Sequence, residues 1–187
     1  MKKKLLLVFL IVLIVIFLII CFFYKDENIN KEINNTINKK DEYKLTLTLN
    51  NIYYIDNKKF DSKIKYIEIK KNGNYKYENK LYENNNLVKK SAKKNFSINY
   101  KSFFNKIKKI KCYKKENNKY CKTRMKSSDS FLLIYKNSKN NDIEEYTDVN
   151  IISSGNYIDS ISFKVKDIKN NIYSVKLNFD FGLQNIK

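Results

Sequence analysis

The chain has 187 residues, with 38 Lys and Arg against 19 Asp and Glu, a net charge of +19 and no histidine. Missing histidine removes the commonest general base and the usual nucleophile triads. The lone arginine, Arg124, leaves little of the bidentate chemistry that specific nucleic-acid sites use, so no nucleic-acid partner is expected.

Residues 1–4 carry Lys2, Lys3 and Lys4 ahead of an unbroken apolar run at 5–24. A helix of that length rises ~30 Å, the thickness of a bilayer's hydrocarbon core. The run is longer than the ~7–15 apolar residues of a cleavable signal peptide, which also needs small residues at its cleavage site. No Gly, Ala or Ser occurs before Ser62. The run therefore predicts an uncleaved signal anchor that crosses the cell membrane once. Lysines stand three to one across its flanks, Lys25 being the outer one. The positive-inside rule then puts the 1–4 stub in the cytoplasm and the rest outside. An alternative uses Cys21: Leu18-Ile19-Ile20-Cys21 resembles a lipobox, whose cysteine becomes lipid-modified, but Ile20 stands where that pattern has a small residue.

Residues 25–42 are polar and charged and are expected to be a linker. Ile29, Ile33 and Ile37 recur every four residues and could stripe one face of a short helix, so a helical extension of the anchor is the other reading beside a flexible tether.

From Tyr43 the apolar period becomes two, as in half-buried strands. Tyr43–Leu49 alternates; Ile52–Ile55 extends it past a break at Asn50-Asn51. Lys63–Lys70, a turn at Asn72-Gly73 and Tyr75–Tyr82 predict a hairpin, and Phe96–Tyr100 alternates again. Residues 101–111 predict a short helix or turn running into a strand. Cys112 and Cys121 bracket Glu116-Asn117-Asn118, so a hairpin would bring them opposite. Outside the membrane they are expected to form a disulfide, worth roughly 2.5–3 kcal/mol by chain entropy. Two thiolates without histidine are too few for a metal site, and no cofactor is expected. Phe131–Tyr135 reads as a central strand and Val149–Ile152 as a shorter one. Ile161–Val165 and Tyr173–Phe181 predict a hairpin across Asp167–Asn171.

That last hairpin resembles the end of bacterial immunoglobulin-like surface modules, in which a strand, an Asp-x-x-Gly-Asn turn and a final strand follow one another. Asp167 and Asn171 match; Asn170 replaces the glycine, and Asn also visits left-handed backbone. The resemblance implies an antiparallel β-sandwich over 102–187, beside a β-rich region at 43–101, as one or two small modules. Such modules serve as spacers, adhesins or carbohydrate- and protein-binding units, and no active site is carried over.

The expectation is thus a mostly β, membrane-anchored, non-enzymatic surface module for adhesion, spacing or ligand binding. Three alternatives stand beside it: an accessory subunit of a cell-envelope machine, a lipoprotein processed at Cys21, and a carboxylate hydrolase of wall polymer using residues such as Glu144, Glu145, Asp148 or Asp167. Dispersed lysines would attract anionic lipid head groups or wall polymers, a salt-screened surface property. A protein partner would need an exposed strand edge.

Overall fold

The computed structural model describes residues 27–38, 42–56, 58–134 and 143–181, together with Leu13. The signal-anchor and Cys21 readings otherwise lie outside the described residues. Among the described residues no helix is long and apolar enough to cross a membrane.

The chain is mostly β, as its alternating segments predict. The strands are β1 (Tyr43–Ile55), β2 (Lys58–Lys71), β3 (Asn74–Glu83), β4 (Asn86–Ser91), β5 (Lys111–Lys115), β6 (Asn118–Lys126), β7 (Tyr146–Ser154), β8 (Tyr157–Lys166) and β9 (Ile172–Phe181). All are antiparallel neighbours in one hydrogen-bonded sheet, ordered β4-β3-β2-β1-β9-β8-β7-β6-β5. Regions 43–101 and 102–187 share this sheet, because β1 pairs with β9 from Tyr43↔Phe181 to Ile52↔Ile172.

Local chemistry explains the hairpins. Asn72 and Gly73 both adopt positive φ (49° and 75°), the backbone of a two-residue turn that matches strand twist. Asn84 and Asn85 do the same at 47° and 67°, closing β4 onto β3, a strand the sequence did not reveal. Asn170, at φ 62°, takes the left-handed position expected of it. Asp167 accepts backbone N–H bonds from Lys169 (2.8 Å) and Asn171 (2.9 Å), which fixes that loop. Asn50-Asn51 does not break β1, since its register with β2 is continuous from Tyr43 to Ile55.

Period two gives the sheet two unlike faces. One row crosses all nine strands as Ser91–Asn79–Tyr66–Leu47–Leu177–Ile161–Ile151–Cys121–Cys112. Its middle is core, with Tyr66, Leu47, Leu177, Ile161 and Ile151 at 0% exposure. Cys112 and Cys121 are joined as a disulfide between directly paired residues of β5 and β6.

A layer of helix and irregular chain covers this apolar face. Helix α1 (Glu27–Asn38) buries Ile29 and packs Ile33 and Ile37 against the core. The flexible-tether reading of 25–42 is therefore corrected: 27–38 is a docked helix. Its buried Glu32 accepts from Lys119 Nζ and Ser153 Oγ, both at 3.0 Å. Thr36 Oγ1 accepts from the Ile158 N–H at 2.9 Å, and Asn35 Nδ2 donates to Asn156 O at 3.1 Å.

Two expected strands prove to be part of the same cover. β4 and β5 are opposite edges of the sheet, so residues 92–110 must cross its apolar face from one edge to the other. Phe96–Tyr100 lies on that crossing as irregular chain, and its alternating Phe96, Ile98 and Tyr100 pack onto the core. It runs into α2 (Tyr100–Phe104), where Asn99 Oδ1 accepts from the Ser102 N–H at 3.1 Å and Phe103 and Phe104 are buried. Of the expected central strand Phe131–Tyr135, Phe131–Leu133 is instead a 3-10 turn following α3 (Ser127–Ser130), and Tyr135 lies outside the described residues. Phe131 packs edge-on against Phe163 from below the sheet.

Beneath this cover, on β1 and β2, lies a buried polar cluster. Tyr43 and Tyr66 each donate a hydroxyl to Glu68, both at 2.6 Å. Burial and the Glu68 carboxylate push both phenols far above their usual range, so they remain protonated donors.

Candidate ligand-binding face

The opposite face is built by the same register. Its central row runs Lys90–Lys80–Lys65–Thr48–Lys176–Ser162–Asn150–Lys122–Lys111, again one residue from each strand. Six of its nine residues are lysines. Lysine and arginine together make up 38 of 187 residues, 37 of them lysine, so this row concentrates charge well beyond composition.

Over β1, β9, β8, β7 and β6 this face forms an open groove of about 990 Å³. Small polar side chains line it: Thr48, Asn50, Asn150, Ser162 and Ser174. Longer ones stand around them: Lys122, Arg124, Lys164, Lys176 and Tyr146, with Glu144 and Asp148 as the carboxylates. Four cations against two carboxylates leave the groove positive. The physical cause of its shape is the alternation of short and long residues on one strand face.

The charges are unevenly committed. Asp148 Oδ2 pairs with Lys122 Nζ at 2.8 Å. Glu78, on the row beside the lysines, pairs with Lys80 at 2.9 Å and Lys90 at 3.2 Å. Hydrogen bonds from those two ammonium groups hold the Glu78 carboxyl below its ordinary range. Among the described residues, Lys65, Lys111, Lys164 and Lys176 make no ion pair. Arg124 lies over the Tyr146 ring, 5.4 Å from its centroid, a cation–π contact that orients the guanidinium.

Of the four carboxylates singled out for hydrolysis, Glu145 is exposed just before β7 and the other three hold hydrogen bonds or an ion pair. Glu144 Oε1 accepts from the Lys166 N–H at 3.0 Å, and Asp148 holds Lys122. Asp167 sits at the β8–β9 turn, outside the groove lining. There its carboxylate accepts four bonds, from the Asn171 side chain and backbone, the Lys169 backbone and Tyr173. Burial pushes its pKa up, but those hydrogen bonds outweigh it and hold Asp167 below its usual range. Among the described residues no three Cys, Asp or Glu side chains gather as metal ligands.

The tyrosines also sort by register. On the core face Tyr66 stacks with Tyr77 and meets Phe96 edge-on. Tyr113 and Tyr120 stack at 5.4 Å beside the Lys111 end of the basic row. In the groove itself Tyr146 is the aromatic side chain of the polar face. Sequence reasoning missed the lysine row because no short segment contains it. Each strand contributes one lysine at most, and the signal exists only once strand order and register are known. No protein-family model matches this chain, and no curated protein is similar to it in sequence.

Proposed function

We propose that this chain is a membrane-anchored, extracytoplasmic, non-enzymatic ligand-binding module whose working surface is the polar face of the sheet. The observation that carries the reading is the groove of about 990 Å³, lined by hydroxyl, amide and cationic groups on one face of the sheet. Ligand sites are typically concave, preformed and furnished with a few placed polar groups. The anchor at 5–24 and an outward-facing C-terminal region come from the apolar run and its flanking lysines. Kinship to immunoglobulin-like surface modules is proposed on the Asp167–Asn171 hairpin alone. Strands β5–β9 themselves follow one another as a meander.

The test uses the full-length protein in detergent micelles and isolated cell envelopes as ligand source. Ser162→Trp places an indole in the groove at a half-exposed position. Envelope binding should fall at least about tenfold, the effect of losing roughly 1.4 kcal/mol, with the thermal midpoint retained. Undiminished binding by a folded Ser162→Trp protein would overturn the choice of face. A membrane-impermeant amine reagent on intact cells should label lysines beyond residue 25, and full protection would overturn the topology.

A second reading, recruitment into an envelope assembly, is favoured by one observation. Edge strand β4 leaves Leu87 and Val88 more than half exposed, a surface suited to strand addition. A photo-crosslinker at Val88 that captures a membrane protein would support it.

A further inference from the structure

We infer that the occupant of the polar face is a linear, hydroxyl-rich polyanion that lies across the strands along the lysine row. The inference rests on the polar face being the binding surface. Nine strands spaced ~4.8 Å apart make the row about 38 Å long, the reach of a polymer segment and far beyond a small ligand. Cations stand at both ends and near the middle, with Thr48, Ser162 and Asn150 between them. The row thus offers charge-pairing groups at its ends and middle with hydroxyl and amide groups between them, and an anionic polyol or polysaccharide carries both kinds of partner along one chain. Lys65, Lys111 and Lys176, without carboxylate partners among the described residues, are the cations whose charge is left for a ligand.

Shape and aromatic content discriminate against other polyanions. Antiparallel sheets ordinarily twist by about 20° per strand. At that twist the outermost lysines of a nine-stranded sheet would face widely different directions, and a flat bilayer would meet only a few strands at once. A flexible chain can follow the turn. Single-stranded nucleic acid gains most of its sequence-tolerant affinity by stacking bases on aromatic rings. Tyr146, the groove's own aromatic, has Arg124 over one face of its ring, and Tyr113 and Tyr120 at the Lys111 end are stacked on each other.

The experiment measures binding of defined polymers to full-length protein in detergent micelles. The probes are poly(glycerol phosphate), polygalacturonate, dextran, oligo-dT and phosphatidylglycerol vesicles. Phosphate and carboxylate chains separate the two sources of negative charge, and binding of either supports the inference. Equal or tighter binding of dextran, oligo-dT or vesicles overturns it. The decisive variant is Lys65→Gln/Lys111→Gln/Lys176→Gln, compared with Lys58→Gln/Lys93→Gln/Lys169→Gln, which removes the same charge off the row. An exposed ion pair is worth about threefold in affinity, so the row variant should lose about 30-fold and the control less than about threefold. Raising salt from 50 to 500 mM should weaken wild-type binding at least about tenfold, as counterions compete. Equal losses in the two triple variants would reduce the effect to diffuse attraction and overturn the inference. If Ser162→Trp abolishes envelope binding but the row triple matches its control, the groove stands and the polyanion falls. If Ser162→Trp changes nothing, the underlying face assignment is what fails.

Discussion

Removing the carboxylate that ties helix α1 to the sheet should free the helix and leave the sheet folded. Glu32 is 5% exposed and accepts from Lys119 Nζ and Ser153 Oγ, each at 3.0 Å. A hydrogen bond to a charged group contributes about 1.5–3 kcal/mol, and a buried ion pair broken on one side costs about 3–5 kcal/mol. The Lys119 side chain is 20% exposed and recovers some hydration when its partner leaves. Glu32→Ala should therefore cost about 2–3 kcal/mol of docking. Hydrogen exchange on the full-length protein reads this directly, because local opening exposes the helix amides without global unfolding. Exchange within 27–38 should accelerate roughly 30- to 150-fold, at tenfold per 1.4 kcal/mol. Amides of β1, β8 and β9 should change far less. The double substitution Glu32→Ala/Lys119→Ala should recover part of the loss, since it leaves no orphaned ammonium. Wild-type α1 amides exchanging at unprotected rates would refute the docked helix and restore the flexible tether. Unchanged protection in Glu32→Ala would refute the carboxylate as its tie.

Tyr66→Phe should destabilise the protein by about 1–3 kcal/mol, because Glu68 is buried and would lose one of its two tyrosine donors. Urea denaturation measures it; a change under about 0.5 kcal/mol would show that the cluster is not held as described. Asp167, with its pKa depressed in the folded chain, contributes stability that is fully present above its ordinary value of about 3.9. That contribution is lost as pH falls through the lower folded value. The β8–β9 turn should therefore loosen as pH falls below about 4, and Asp167→Asn should flatten this part of the thermal-midpoint profile. A wild-type profile already flat there, or one unaltered in Asp167→Asn, would exclude the capping role.

Much of the sheet is legible in short segments. Tyr43–Leu49, Ile161–Val165 and Tyr173–Phe181 alternate cleanly because each has one buried and one solvated face. The turns at Asn72-Gly73 and Asp167–Asn171 carry residues that tolerate positive φ. Cys112 and Cys121 sit at a spacing that a tight hairpin places opposite. Where the reading failed, a tertiary demand overrode the pattern. Phe96–Tyr100 alternates like a strand, yet no strand edge is available on a route across the apolar face. Phe131–Leu133 is apolar because it plugs the underside of the sheet, an environment a short run cannot distinguish from a central strand. The isoleucines of α1 spell a helix face, but only the sheet supplies the surface that keeps the helix folded.

The sequence by itself determined two-faced strands, their turns and the cysteine pair, because side-chain alternation and backbone permission act over a few residues. Tertiary structure alone decided strand order, the joining of β1 to β9 and the cover of 27–38, 92–110 and 127–134. It also made the lysine row. Each of its lysines is an ordinary outward-facing residue of its own strand; pairing at one register turns them into a continuous charged path. Cross-strand register depends on which long-range partners bury the other face, and that information is spread over the whole chain.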